Sequence, residues 1–117
     1  ILNRGLHFQK KPKEQSKLIR VSLGEIQDVI VDIRRDSATY GYWESFNLSS
    51  ENNNVLFVPK GFAHGFCTLE DNVTIIYKVD EFYSSEDDRG IAWNDPFFNI
   101  NRPEDLQYAE TLICLDD

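Results

Sequence analysis

Apolar and polar residues alternate along several short stretches of the chain, which is the pattern of strands with one buried face. The clearest stretch is "IQDVIVDI" at 26–33, whose valines and isoleucines occupy both faces of an extended strand. It follows "KLIRVS" at 17–22 and Gly24. This order predicts a hairpin whose second strand is buried on both sides.

Further strand-like stretches are separated by residues that favour turns. They are "YWESFNL" at 42–48, "VLFV" at 55–58, "AHGFCTL" at 63–69 and "VTIIYKV" at 73–79. Only three residues separate the last two, which predicts a second hairpin. A helical turn after Pro103 is the one helical feature expected. Seven or so short strands at this spacing predict an all-β fold, an antiparallel double-sheet jelly roll of the sandwich or barrel type.

Length and composition fit one folded domain. The chain has 117 residues, of which 41% are hydrophobic, and no linker or repeat divides residues 1–117. It begins at Ile1 without a methionine and enters a patterned segment at once. We therefore expect residues 1–117 to be a single domain that is a fragment of a longer chain.

Charge and cysteine content restrict the possible partners and location. The net charge of −8 disfavours binding to nucleic acid or to an anionic membrane, because both require clustered Lys and Arg. An anionic ligand remains compatible with a local basic pocket. Two cysteines are too few for a disulfide framework, and no apolar run approaches the ~20 residues of a membrane span. Without a recognisable signal peptide, the expected location is the cytoplasm.

Strand alternation also selects candidate reactive side chains. Tyr77 shares its face with the apolar residues of 73–79, so its ring is expected on the buried side with its hydroxyl bonded. His64 shares a strand face with Phe66. In a regular strand, His7 would lie on the face opposite to that of Leu6.

These residue types suit proton transfer next to a carbonyl group. Such chemistry needs a base near neutral pH, a cation for the enolate oxygen and an acid on the opposite face. His7, Lys17 and Tyr77 could meet those needs in that order. Each residue could instead have a purely structural role. His7 would then be a hydrogen-bonded histidine within a strand, Lys17 a solvated lysine and Tyr77 a tyrosine of the core. The residue pattern alone leaves both readings open.

Longer phrases of the sequence resemble one family. In order and spacing, four of them are similar to the dTDP-4-dehydrorhamnose 3,5-epimerase family of cupin-type jelly rolls, over roughly residues 3 to 100: "RGLHFQ", "KLIRVSLGEIQDVIVDIRRDSATYGYW", "VPKGFAHGFCTLED" and "IIYKVDEFYSSEDDRGIAWNDP". The resemblance implies epimerisation at C3, C5 or both of a dTDP-linked 4-keto-6-deoxyhexose. It implies no redox cofactor and no metal, and together with exposed sheet edges it leads us to expect a homodimer.

The resemblance also implies roles for individual residues. His7, in "RGLH", matches the family's proton-abstracting base, and Lys17 matches the lysine beside the C4 oxygen. Tyr77, before Lys78, matches the tyrosine that returns a proton from the other face.

Three further residues match substrate contacts of the family. They are Arg4 in "RGLH", His64 in "GFAHGF" and Asp88 in "SEDDRG". The family usually has glutamate where this chain has Asp88, so the charge is kept and the reach is shorter by one methylene.

Two departures from the family pattern concern the chain ends. The family carries a further segment before "RGLH", which contributes to nucleotide-sugar binding. Its base is oriented by an aspartate in a C-terminal "LSxKD" segment, where this chain reads "LICLDD". Whether Asp116 or Asp117 takes that role stays open. Near the end, the family's "WP" is "RP" here, at Arg102 and Pro103.

Three alternatives remain at the level of sequence. A metal-dependent cupin is disfavoured because the chain has only two histidines and no His-x-His pair. A sugar-nucleotide ketoisomerase or one-centre epimerase would use the same base and enolate stabiliser. A non-catalytic module that binds carbohydrate or nucleotide sugar, or that serves dimerisation, would keep the fold without the chemistry.

Overall fold

A computed structural model describes the backbone of residues 3–92 and the side chains of residues 5–92. This part of the chain contains no helix. Its eight strands are β1 (Asn3–Gln9), β2 (Lys17–Leu23), β3 (Glu25–Asp32), β4 (Trp43–Ser49), β5 (Val55–Val58), β6 (Phe62–Thr68), β7 (Thr74–Val79) and β8 (Asp88–Gly90). The expected helical turn after Pro103 lies outside the described residues.

The strands form two antiparallel sheets. The larger sheet has the order β4-β3-β6-β1-β8, and the smaller one has the order β5-β2-β7. Apolar residues from both sheets pack together between them, as in a sandwich. This arrangement confirms the predicted all-β, double-sheet jelly roll.

The two predicted hairpins are wrong. β2 and β3 belong to different sheets, and so do β6 and β7. Only Gly24 links β2 to β3, and its φ of 83° lets the chain turn a corner from one sheet into the other. A Cβ at Gly24 would lie 2.5 Å from the Asn72 carbonyl oxygen, which connects this corner to the β6–β7 link. Alternation reveals the faces of a strand, but it does not reveal its pairing partner.

β3 is buried on both faces, as its sequence predicts. On one face Val29 and Val31 pack with β1 and β6 residues that include Leu6 and Cys67, all fully buried. On the other face Ile26 packs against the smaller sheet. The even-numbered positions of β3 therefore face the space between the sheets.

A β-bulge in β1 sets the direction of its N-terminal half. Arg4 is in register with Phe66 and His7 with His64, so two residues of β1, at positions 5 and 6, lie opposite one residue of β6, at position 65. A regular strand would place positions 4 and 7 on opposite faces, and the extra residue corrects this alternation. Position 7 thereby shares the inner face with His64, while Leu6 and Phe8 pack on the outer core.

The loop after β3 is held by one buried carboxylate. Asp32 is 1% exposed and accepts hydrogen bonds from Arg34, Ser37 and Thr39. Burial opposes its ionisation, but these bonds outweigh that effect and hold the pKa of Asp32 well below its usual range. The Arg34 guanidinium also lies 4.9 Å from the centre of the Phe62 ring. The buried carboxylate of Asp32 therefore has a structural role, which is to hold this loop.

Within residues 3–92 there is no helix long and apolar enough to cross a bilayer.

Replacing Gly5 with alanine is expected to destabilise the fold. Gly5 has a φ of 126°, and a Cβ there would lie 2.5 Å from the Gly65 Cα on the neighbouring strand. We expect the free energy of unfolding, measured by chemical denaturation, to fall by about 1–3 kcal/mol.

The matched control is Gly90→Ala in the adjacent strand β8. There the nearest atom to a new Cβ is the Leu6 carbonyl oxygen at 3.6 Å, which is an ordinary contact. Equal stability losses in the two variants would contradict this reading of the β1–β6 contact.

Candidate functional site

Two histidines lie side by side on the inner face of the larger sheet. His7 of β1 and His64 of β6 are directly paired residues of an antiparallel ladder, so their side chains project to the same side. Their environments differ, because His64 is 4% exposed whereas the side chain of His7 is 53% exposed. The pair therefore joins a buried imidazole to one that solvent or a ligand can reach.

Asp28 is the partner of the buried imidazole. It lies on β3, is fully buried, and its Oδ2 is 2.7 Å from His64 Nε2. Burial raises the pKa of Asp28, whereas the hydrogen bond and charge of His64 and the charge of Lys17 act to lower it. The other oxygen, Oδ1, is buried and accepts no hydrogen bond within residues 3–92. This pair fixes the orientation of the His64 ring.

Lys17 enters the same region from the smaller sheet. It begins β2 and shares the inner face with Ile19, which is fully buried. Burial lowers the pKa of Lys17, because the charged ammonium loses hydration, while the charges of Asp28 and Asp88 act in the opposite direction. Its ammonium therefore lies within electrostatic reach of two carboxylates from the larger sheet.

Tyr77 also projects from the smaller sheet toward the space between the sheets. It pairs with Ile19 in the β2–β7 ladder, so the two side chains share the inner face. Its ring centre is 6.3 Å from that of His64, in an edge-to-face arrangement. The expected burial is wrong, since Tyr77 is 43% exposed. Among the described strands β7 pairs only with β2, so the phenol stands at the edge of the smaller sheet.

Asp88 lies beside the exposed imidazole. It is the first residue of β8, which pairs with β1, and its Oδ1 is 3.9 Å from His7 Nδ1. The Tyr83 hydroxyl is 3.5 Å from the other carboxylate oxygen. Sequence reasoning matched Asp88 to a substrate contact and gave no sign of this proximity to His7.

Some predicted site residues lie beyond what the structure describes. Arg4 has a described backbone in β1, in register with Phe66, but its side chain is outside the description. Asp116 and Asp117, the two candidates for orienting His7, lie outside residues 3–92, as do Arg102 and Pro103. Their roles stay predictions.

Asp28 is the functional candidate that sequence reasoning missed. A signal was present, because the alternation in "EIQDVIVDI" places Asp28 on a buried face between Ile26 and Ile30. A carboxylate in such a position requires a partner. Within residues 3–92, no group of three or more His, Cys, Asp or Glu side chains could hold a metal ion.

A cavity of about 540 Å³ adjoins this region and includes Lys17 in its wall. His7, His64 and Tyr77 do not line it, so the cavity lies next to the histidines and is not centred on them. Its charged lining residues are five basic ones against two acidic ones: Lys10, Lys11, Lys17, Arg34 and Arg35 against Glu14 and Asp36. A chain of net charge −8 thus concentrates positive charge beside its reactive groups.

Together these groups can perform acid–base chemistry on a bound ring. The larger sheet supplies imidazoles and carboxylates, and the smaller sheet supplies an ammonium and a phenol. A reachable imidazole can accept a proton, a partly buried ammonium can stabilise an enolate oxygen, and a phenol can donate a proton.

Comparisons with known proteins agree with this chemistry. The family profile described as dTDP-4-dehydrorhamnose 3,5-epimerase matches residues 2–113. The dTDP-4-dehydrorhamnose 3,5-epimerase of Shigella flexneri is 51% identical over 100 residues, which are 86% of this chain and 55% of the relative. The chain thus spans about half the length of the curated relatives it matches.

Solved structures that resemble this chain belong to the same family. The dTDP-4-dehydrorhamnose 3,5-epimerase of Bacillus anthracis, solved with TDP and PPi bound, is 55% identical with a TM-score of 0.80, over 86% of this chain and 58% of that one. The Legionella pneumophila enzyme, solved with dTDP-4-keto-L-rhamnose, is 42% identical with a TM-score of 0.79, over 86% of this chain and 53% of that one. This chain belongs to the dTDP-4-dehydrorhamnose 3,5-epimerase family.

Proposed function

We propose that the chain is the jelly-roll part of an isomerase that epimerises a dTDP-linked 4-keto-6-deoxyhexose at C3 and C5. The observation that carries this proposal is that the candidate base and the candidate acid come from different, facing sheets. His7 comes from the larger sheet, whereas Lys17 and Tyr77 come from the facing smaller sheet. A ring held between the sheets has a base on one side and an acid on the other, as inversion of a carbon centre requires.

The first step is proton abstraction next to the ketone. His7 takes the proton from C5, the C–H electron pair forms the C4–C5 double bond, and the carbonyl electrons move to the C4 oxygen. The Lys17 ammonium stabilises that oxygen, while His64, held by Asp28, lies beside His7 on the larger sheet.

The second step returns a proton from the opposite face. Tyr77 donates its phenolic proton to C5, and the enolate electrons restore the ketone. Solvent then reprotonates the phenolate and takes the proton from His7, so no net charge or electron is consumed. The same cycle at C3 completes the epimerisation and uses no metal or redox cofactor.

The substrate contacts of this proposal are Arg4, His64 and Asp88, as the family match assigns them. The basic lining of the neighbouring cavity supports an anionic substrate such as a nucleotide-linked sugar. The relatives solved with TDP and with dTDP-4-keto-L-rhamnose support the same substrate class.

The decisive experiment is solvent exchange. The full-length protein containing this chain is incubated with dTDP-4-keto-6-deoxyglucose in D₂O, and deuterium at C3 and C5 is followed by NMR. Incorporation with inversion at both centres is expected. Inversion at one centre only would indicate a one-centre epimerase, and binding without incorporation would indicate a non-catalytic module.

Variants of the base and the acid are expected to behave differently in this assay. His7→Asn should slow exchange at both carbons by about 10²–10⁴-fold, because no base remains. Tyr77→Phe should still exchange deuterium, because His7 can return a solvent-derived deuteron to the face from which it removed the proton, but inversion should be lost.

The two variants test the division of labour between the sheets. Circular dichroism of both proteins controls for folding. If Tyr77→Phe loses exchange as fully as His7→Asn, or if His7→Asn exchanges at the wild-type rate, the assignment of base and acid is wrong.

The charge of Lys17 is expected to appear in the pH dependence of exchange. Since burial lowers the pKa of Lys17 from 10.5, exchange should decline with rising pH before that value is reached, as the ammonium loses its proton. Lys17→Gln, neutral at every pH, should lack this decline and exchange about 10²–10³-fold more slowly.

The measurement is made in a Tyr77→Phe background, so that no phenol titrates at position 77. Lys78→Gln is the matched control, because Lys78 follows Tyr77 on β7 and projects to the opposite face. An alkaline decline that survives in Lys17→Gln would contradict the role of the ammonium.

We also propose that the protein is a homodimer. The outer face of the smaller sheet exposes an apolar patch formed by Leu18, Val55, Phe57 and Ile76, which surround Arg20. A twofold contact needs only one such patch, since each copy presents the same surface to the other.

The apolar patch is expected to control assembly. Phe57 is 58% exposed, and Phe57→Lys should convert the dimer into a monomer, as measured by sedimentation velocity. Phe82→Lys is the control, because Phe82 is 88% exposed and lies after β7, outside the patch. A wild-type monomer, or a dimer that survives Phe57→Lys, would contradict this interface.

A further inference from the structure

The cavity next to the histidines is lined by basic residues that, apart from Lys17, have no role in the proposed reaction. Its volume of about 540 Å³ lies within the range typical of small-molecule sites. One part of its lining comes from residues 8–17, and the other comes from residues 33–36 and from positions 61 and 62. Because β6 lies between β3 and β1 in the larger sheet, the loops that follow β1 and β3 flank the start of β6.

Most of the positive charge in this lining is not neutralised by a neighbouring carboxylate. Arg34 is the exception, since its guanidinium donates two hydrogen bonds of 3.0 Å to Asp32. Lys17 lies within electrostatic reach of the carboxylates of the reaction site. The basic lining residues that are exposed and form no ion pair within residues 3–92 are Lys10, Lys11 and Arg35.

The loop between β1 and β2 holds the backbone of Lys10 and Lys11 in place. The Lys10 amide donates to the Asp87 carbonyl oxygen at 2.9 Å, and the Lys13 amide donates to that of Lys10 at 2.9 Å. The Gln9 side chain adds a bond to the Lys13 carbonyl oxygen at 2.6 Å. A loop fixed in this way presents its lysines at the cavity without a large ordering cost on binding.

The loop after β3 holds Arg35 on an equally fixed backbone. The preceding residue, Arg34, is bonded to Asp32 through its backbone amide as well as its side chain, at 2.9 Å. The Ile33 amide donates to the Gly61 carbonyl oxygen at 3.0 Å, which ties the loop to the start of β6. The contact is close, because a Cβ at Gly61 would lie 2.5 Å from the Arg34 Cγ.

We propose that this cavity is a binding site for a phosphate or diphosphate group, formed by Lys10, Lys11 and Arg35 together with Lys17. A guanidinium can donate two parallel hydrogen bonds to phosphate oxygens, and ammonium groups add charge and further donors. The cations come from two loops that are distant in the sequence and converge on one cavity of a chain whose net charge is −8. The substrate contacts assigned by the family match do not include Lys10, Lys11 or Arg35.

Two sources of such a group are compatible with the cavity. The first is the diphosphate of the nucleotide-linked sugar, and for this source the inference rests on the proposed function. The second is a free anion, such as inorganic diphosphate, that binds beside the sugar. In either case the anion lies next to Lys17, and its negative charge favours the protonated ammonium.

The first test measures the binding of inorganic diphosphate and needs no activity. The full-length protein containing this chain is titrated by calorimetry at low ionic strength, where binding is expected. The double variant Lys10→Gln/Lys11→Gln should weaken the affinity at least about tenfold, because charge-assisted contacts are lost. Arg35→Gln, on the other loop, should weaken it to a similar extent.

Lys13→Gln is the matched control for these variants. Lys13 belongs to the same loop as Lys10 and Lys11, but it lies 3.9 Å from Glu81 in an ion pair and does not line the cavity. The change in net charge is that of Arg35→Gln, and diphosphate affinity should equal that of the wild type. Circular dichroism of all variants controls for folding.

The second test distinguishes the two sources of the anion. Inorganic diphosphate is added to the exchange reaction in D₂O at several substrate concentrations. If the cavity holds the diphosphate of the substrate, the added anion competes with substrate, and Lys10→Gln/Lys11→Gln raises KM while kcat is retained. If the cavity holds a free anion, inorganic diphosphate still binds at saturating substrate, and the double variant keeps the wild-type KM.

The inference would be overturned if the wild type did not bind inorganic diphosphate, or if the double variant and Arg35→Gln bound it as tightly as the wild type. Equal weakening in Lys13→Gln and Arg35→Gln would also overturn it, since the effect would then follow net charge alone. Failure of the proposed function gives a different result, namely no exchange in the wild type while diphosphate binding still depends on the cavity cations.

Discussion

The pairing of β1 with β6 is the constraint on which the site depends. One extra residue in β1, between positions 4 and 7, lets His7 face His64 across the ladder while Leu6 fills the core on the other side of the sheet. Gly5 makes this possible, since a side chain there would collide with the backbone at Gly65. Strand pairing, core packing and the direction of the His7 side chain are thus set by a single local irregularity.

Charge compensation is the second requirement of the site. A partly buried ammonium is unfavourable unless carboxylates stand nearby, and a buried carboxylate is unfavourable unless a donor or cation does. His64 is bonded to one oxygen of Asp28, and Lys17 on the facing sheet lies within electrostatic reach of Asp28 and of Asp88, which adjoins His7. Removal of either carboxylate therefore changes the ionisation of Lys17, so a pH profile reports on these contacts where a single rate does not.

The sequence predicted the strands well, but not how they pair. Alternation correctly indicated that β3 is buried on both faces, whereas the one-residue corner at Gly24 turned a predicted hairpin into a crossing between sheets. Asp28 was missed because its importance depends on His64, thirty-six residues away. Tyr77 was predicted to be buried because its face is apolar, yet its strand lies at the margin of the smaller sheet, where no further described strand covers it. The residue pattern indicates which face of a strand is buried. Contacts between distant parts of the chain decide how exposed a side chain is and which strand or residue it meets.

The sandwich architecture itself explains why opposite-face protonation suits this chain. Stacked sheets lie about 10 Å apart, so inward side chains from the two sheets approach each other across a gap comparable to one ring. Where apolar side chains such as Ile19 and Ile26 project inward, they close that gap and form the core. Where His7 and Tyr77 project inward, both remain partly exposed, and the gap stays accessible. The same geometry therefore gives stability at one end and room for the proposed chemistry at the other, and the change from apolar to polar inner residues marks the boundary between them.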